Sequence, residues 1–362
     1  MAFVPTVLRS LVLAASLLAA TAASANVDSD MPAVKRAIDL FVRPANVRLL
    51  ASSRAQYEEI RMLCRRPGKA ALSMARSRFE KAVDALSEAE IIRFGPVTEE
   101  NRLERLLFWP DRKGTGLKQV QAAIASDDGS VLDAESLAGK SVAMQGFGAL
   151  EFVLFGTGSE TLATAEGAHR CAYGAAIASN IETIASALSS NWSAAHGFAE
   201  TWAQPGSDNP AFRDQTEAMT ELLEVFVNGL EMVRDVRISS FLGQKPEDDK
   251  PRSALFWRSG KTVDSLAGNL RAMKALFDAA GFDELLPQDK QWLVDSIDFE
   301  FDNAANAARA VDKPIEDVLA DPELRSKLEY LRVVTTSLSD LIGRQLAAEL
   351  GLTAGFSSLD GD

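Results

Sequence analysis

The chain has 362 residues, 47% of them hydrophobic and 25% charged, which fits one large folded domain or two and excludes a chain too polar to bury a core. Lys plus Arg is 38 against 51 for Asp plus Glu, a net charge of −13, and that acidity argues against binding nucleic acid through phosphate neutralisation. With only two histidines, His169 and His196, and two cysteines, Cys64 and Cys171, a metal site built mainly of His and Cys within one chain is nearly ruled out.

Residues 1–25 read as an export signal. Arg9 supplies the positive start, Leu11 to Ala20 the apolar run, and Ala23-Ser24-Ala25 an A-x-A cleavage site, so the mature chain is expected to begin at Asn26. No later stretch reaches the roughly 20 apolar residues that a membrane span needs. The expected destination is the periplasm, or the cell exterior, of a bacterial source. In an oxidising compartment a Cys64–Cys171 disulfide is expected, worth roughly 3–5 kcal/mol because it closes a long loop.

Periodicity is helical almost throughout, and convincing alternating strands are absent. Thr98, with Glu99 and Asn101 behind it, reads as a helix start. Trp109 before Pro110 reads as a helix end packed on the core. Met144 to Gly156 is the most unusual segment, with Gly146 and Gly148 offering close backbone approach and Glu151 set among Phe147, Leu154 and Phe155 on one helix face. A carboxylate there must gain a cation or donors, or take up a proton. The alternatives are a buried ligand-binding or acid/base glutamate, and a structural one paired with Arg105 or Arg112.

Tyr173, Ile177, Ile181, Ile184, Leu188 and Trp192 form one helical stripe, and Met219, Leu222, Phe226, Leu230 and Val233 another. Between them, 205–210 is polar, with two prolines and a glycine, and reads as a linker separating domains 26–204 and 211–362. Leu107-Phe108-Trp109 and Leu255-Phe256-Trp257 are each followed by Ser-Leu-Ala-Gly at unequal distance, a faint echo that admits either duplication or chance. Arg252, Ser253 and Trp257 occupy the echoed position. Asp295, Asp298 and Asp302 share a helix face and read as a solvated acidic surface. Asp321-Pro322-Glu323 opens a helix, and Gly351 closes one.

Trp109-Pro110-Asp111-Arg112, Gly146-x-Gly148-x-x-Glu151 and the ending from Gly351 through Asp362 resemble the imelysin family over roughly residues 30 to 362. The resemblance implies an all-α fold of two helical-bundle halves with a site in the cleft between them. It also implies an exported protein linked to iron uptake, with iron or another metal ion as ligand and envelope iron-uptake components as partners. The family's motif is Gly-x-His-x-x-Glu. Gly146 and Glu151 match its glycine and glutamate, and Gly148 stands at the histidine. The resemblance thus points to Glu151, Gly146, Gly148, Asp111, Arg112 and, through the echo, Arg252 as ligand-binding residues, with Glu151 the best metal candidate and no catalytic residue assigned. A non-enzymatic binding accessory fits these features. The alternatives are an active metallopeptidase of this family and a structural envelope protein that retains no site.

Overall fold

The structure, a computed structural model, describes residues 31–352 apart from 127 and 312. The expected signal at 1–25 and the family-like ending beyond Leu352 lie outside the described residues. Among those described there are helices and turns and no strands, and no helix is long and apolar enough to cross a membrane.

The long helices follow the apolar repeat. Helix α1 (31–65) buries Ala33, Val34, Ala37, Ile38, Phe41, Ala45 and Leu49 at alternating steps of one to four residues. Its turn Ala37–Val42 is a π turn, directly ahead of Pro44, whose missing N–H and ring do not fit a regular helical ladder. Helices α2 (Lys69–Ala89), α3 (Arg102–Leu106), α4 (Thr115–Ala125), α5 (Ala134–Ala138) and α6 (Gly146–Phe155) follow. Next come α7 (Ala168–Ser193), α8 (Phe198–Ala203) and α9 (215–241), the last containing a π turn at Met232–Ile238. The chain ends in α10 (Thr262–Ala280), α11 (Trp292–Arg309), α12 (Ile315–Ala320) and α13 (322–349).

Both apolar stripes read from the sequence are buried. Ile177, Leu188 and Trp192 face the core from α7, as do Leu222, Phe226 and Leu230 from α9, each such side chain stabilising the fold by about 1.5–3 kcal/mol. Asp321 caps α13, its carboxylate accepting from the Glu323 and Leu324 N–H groups at 3.0 and 3.3 Å. Gly351 adopts φ 70° just past the end of α13. Thr98 does not start a regular helix: tight turns follow it, Glu100 and Asn101 take φ 53°, and α3 begins only at Arg102. The left-handed pair reverses the chain, which the cap reading does not anticipate.

Helix α1 packs on α2 and α7, and α6 lies against α2 and α7. Cys64 and Cys171 are joined, with Sγ–Sγ 2.02 Å, tying α1 to α7. In the second half α10 packs on α11, and α13 on α9 and α11. The segments on either side of 205–210 meet where α10 packs on the start of α1 and on α2: a Cβ at Gly268 would lie 2.7 Å from the Cβ of Ser87, and Asn269 donates to the Ser87 carbonyl at 2.8 Å. One apolar cluster runs through both halves, from Ala33 to Leu352.

Candidate functional site

Helix α6 carries the centre of the site. It is apolar on all sides, so the fold surrounds it. Gly146 opens it with φ 74°, and a Cβ there would stand 2.3 Å from the Leu106 carbonyl oxygen. Only glycine fits that approach. Gly148 is different: a Cβ at this position meets nothing within 4 Å. Open space lies beside it, and the expectation of close backbone contact there is corrected.

At the other end of α6, Arg170 reaches from α7 to the carbonyls of Phe152, Val153 and Thr157 at 2.6, 2.8 and 2.8 Å. A guanidinium over the last carbonyls of a helix satisfies orphan acceptors and favours the helix dipole. Burial lowers its pKa to about 10. Arg170 was not singled out from the sequence. Its position directly before Cys171 was the available signal, since the disulfide fixes this turn of α7.

Glu151 is 4% exposed. Its Oε1 accepts from the Ser259 N–H at 2.9 Å and the Ser259 hydroxyl at 2.8 Å. Neither Arg105 nor Arg112 forms an ion pair with it. Arg258 is the nearest cationic influence: its guanidinium lies over the Trp257 ring at 4.5 Å and the Phe152 ring at 5.3 Å. Burial raises the Glu151 pKa, opposed by the two Ser259 hydrogen bonds and by the charge of Arg258. Desolvation wins, so this carboxyl holds its proton more readily than an ordinary glutamate.

Ser259 is delivered by an unusual turn. Phe256 takes φ 60° while its ring packs edge-on to Phe79 at 6.0 Å, and a bulky residue in the left-handed region is rare. The Ser259 hydroxyl also lies 3.2 Å from the Phe256 carbonyl oxygen, which it can donate to, and the Lys261 N–H closes the turn on the same oxygen at 3.0 Å. Sequence reading flagged Trp257 but missed Arg258 and Ser259. No propensity rule places a phenylalanine at positive φ.

Beside Glu151 is a cavity of about 490 Å³, lined by residues from both sides of the 205–210 segment. Gly148, Glu151, Asp111, Arg112 and Arg252 all border it, while Gly146 lies behind it in the helix start. Ser253 and Trp257 border it too, as do Phe108, Trp109 and Phe256, so both Leu-Phe-Trp triplets contribute. Four cationic side chains line it: Arg112, Lys250, Arg252 and Arg258. Of its acids, Asp111 is occupied by the Thr115 and Leu117 N–H groups at 2.7 and 3.1 Å, and Asp235 pairs with Arg234 at 2.5 Å. Arg252 touches Glu316 at 3.2 Å, an exposed contact of little energetic weight.

These donors do not fit a resident metal ion. Among the described residues no group of three or more His, Cys, Asp or Glu side chains is placed to hold one, where three protein ligands are the usual minimum. His169 is held by the Ala123 carbonyl at 2.9 Å, and His196, largely exposed, by Glu200 at 2.8 Å. Asp295 and Asp302 are exposed, and Asp298 pairs with Lys274 at 3.2 Å.

Comparison with known proteins places these features in a wider set. The chain is 24% identical over 321 residues to iron-regulated protein A of Synechococcus elongatus, covering 85% of this chain and 83% of that protein. An imelysin-like protein from Psychrobacter arcticum superposes with a TM-score of 0.75 at 19% identity, over 91% of this chain and 98% of the other. A candidate iron-regulated protein A precursor from Parabacteroides distasonis gives a TM-score of 0.72 at 15% identity, over 89% and 96%. At such identities the likeness speaks for the helical fold alone. The sequence profile of the imelysin (peptidase M75) family matches residues 42–342, and the chain belongs to that family.

Proposed function

We propose that this protein is an exported, non-enzymatic binding accessory of iron uptake that takes an anionic, carboxylate-rich ligand, free or chelating iron, in the cleft between 26–204 and 211–362. The observation that carries the reading is the charge inside the Glu151 cavity: four cationic side chains line it in a chain of net charge −13. The open space over Gly148 leaves room where a larger residue would stand. The Arg252 and Arg258 guanidiniums lie 5.6 and 4.5 Å from the Trp257 ring, both on the cavity lining, and planar guanidinium forks match carboxylates in pairs. Burial of Glu151 favours its neutral form over the charged one, which lessens repulsion of an anion beside it. The iron connection rests on the names of the relatives, and partners in the cell envelope are expected from the family resemblance alone.

Calorimetric titration tests this with three probes: citrate, ferric citrate and zinc chloride. Citrate or ferric citrate should bind, with affinity falling as salt rises, and Arg252→Ala/Arg258→Ala should reduce it at least tenfold. Tight binding of zinc alone that is lost in Glu151→Gln would overturn the reading, as would silence toward both citrate forms.

A further inference from the structure

A second cavity, of about 540 Å³, lies on the other side of the Trp109–Pro110 segment. Trp109, Pro110 and Val236 border both cavities, but none of Glu151, Gly148, Arg112, Arg252 and Arg258 reaches this one. Its walls are mainly apolar, with Leu49, Leu86, Phe94, Leu106, Leu188 and Trp192 among them. A chamber of this size with a few polar groups is the usual form of a small-molecule site.

The polar groups fall into two sets. The first is closed on itself. Arg237 donates to both Glu90 oxygens at 2.8 and 2.7 Å and to Asn269 Oδ1 at 2.7 Å, and Asn269 donates to Glu90 at 2.9 Å. Arg93, on the same wall, interacts with Glu90, Arg237 and Glu104 and donates to the Met232 sulfur at 3.6 Å. In this set Glu90 and Arg237 neutralise each other, while Arg93 is attracted by Glu90 and Glu104 and repelled by Arg237.

The second set is open. Glu221 and Glu224 stand three residues apart on one face of α9, half-buried at the cavity edge. They also border the shallower surface depression around Pro210 and Phe212, so they sit at the mouth. No arginine, lysine or histidine forms an ion pair with either. Burial raises both, Glu221 to about 7, with the charge of Glu224 adding to the effect. Two desolvated carboxyls without a protein cation are costly, and a ligand cation relieves that cost. Phe94, half-buried on the cavity wall and edge to face with the buried Trp192 at 6.0 Å, offers ring surface of the kind that attracts alkylated ammonium groups.

We propose that this second cavity binds an amphiphilic cation, an alkyl- or arylammonium compound whose apolar body fills the space between α2, α7 and α9 and whose nitrogen lies against Glu221 and Glu224. The site is separate from the Glu151 cavity and takes a ligand of opposite charge, so either proposal can fail alone.

The test is titration of the full chain with octyltrimethylammonium, octanoate and octanol, followed by calorimetry and tryptophan fluorescence, since Trp109 and Trp192 line the cavity. Octyltrimethylammonium should bind at least tenfold more tightly than octanoate. Glu221→Gln/Glu224→Gln should remove most of that preference while octanol binding stays within threefold. Ala89→Phe, which projects a ring into the cavity, should abolish binding of all three while citrate titration at the other cavity is unchanged, which also reports that the variant is folded. Equal affinity for octanoate and the ammonium compound, an ammonium affinity untouched by the double glutamine variant, or no binding of any probe would overturn the proposal.

Discussion

Arg237 on α9 and Glu90 at the end of α2 are 147 residues apart in sequence, yet the guanidinium grips both carboxylate oxygens within 2.8 Å. Both side chains are almost fully buried, 3% and 4% exposed. The π turn at Met232–Ile238 carries Arg237, and Asn269 on α10 donates to Glu90 from a third side. The pair thus fastens the two halves of the molecule at one point.

Removing one partner should be far worse than removing both. Glu90→Ala leaves a buried guanidinium without its counter-ion, and a loss of about 3–5 kcal/mol is expected. Replacing both by apolar residues of similar size, Glu90→Leu with Arg237→Met, should recover more than half of that loss. Urea unfolding of the two variants decides it. Equal midpoints for the single and double variants would show that the pair does not act as a unit.

The two motif glycines should respond oppositely to alanine. At Gly146 the added methyl meets a carbonyl oxygen at 2.3 Å in a left-handed backbone, so Gly146→Ala should cost more than about 2 kcal/mol. At Gly148 the methyl enters open space within a helix, and Gly148→Ala should stabilise by about 0.5–1 kcal/mol. Thermal melts of the two variants beside the parent check the contrast.

Stability should depend on pH with a maximum on the acid side of neutrality. Burial raises Glu151 and Glu221, the latter to about 7. The stability these groups contribute is full below their unfolded value of about 4.3 and is lost as pH rises through the folded value. Asp133 and Asp321 run the other way, lowered by the backbone N–H groups they cap, and their contribution is lost as pH falls through their folded values. A maximum near about pH 5 follows, with a decline toward pH 8. Glu221→Gln should flatten that decline by on the order of 1 kcal/mol, allowing for partial solvent screening. Urea midpoints from pH 4 to 8 measure it, and identical slopes for parent and variant would refute it.

The Cys64–Cys171 bond closes a loop across a sequence separation of 107. Reduction, or Cys64→Ser with Cys171→Ser, should lower stability by about 3–5 kcal/mol while leaving the helical circular dichroism of the folded protein unchanged. A melting temperature insensitive to reductant would contradict this.

The helical class was plain in the sequence because periodicity is a local property: the stripes at Ile177–Trp192 and Met219–Val233 need only their own residues to be read. The burial of Glu151 was equally readable from the apolar residues around it. The identity of its partner was not. Ser259 arrives through a phenylalanine at positive φ, a conformation dictated by tertiary packing on Phe79 rather than by any local preference. The same holds for Arg237 and Glu90, whose pairing depends on how α2 and α9 both pack on α10. Asp111 reads from the sequence as a cleft residue and does border the cavity; that its carboxylate also accepts from the Thr115 and Leu117 N–H groups at the start of α4 was not legible, because that contact depends on the turn between them.

Trp109, Pro110 and Val236 make a wall common to two compartments whose linings differ in charge. Apart from that wall the two linings share no residue, so a guest of either charge meets its own set of side chains. Trimming Trp109 would join the compartments, and the molecule would lose its means of keeping unlike guests apart.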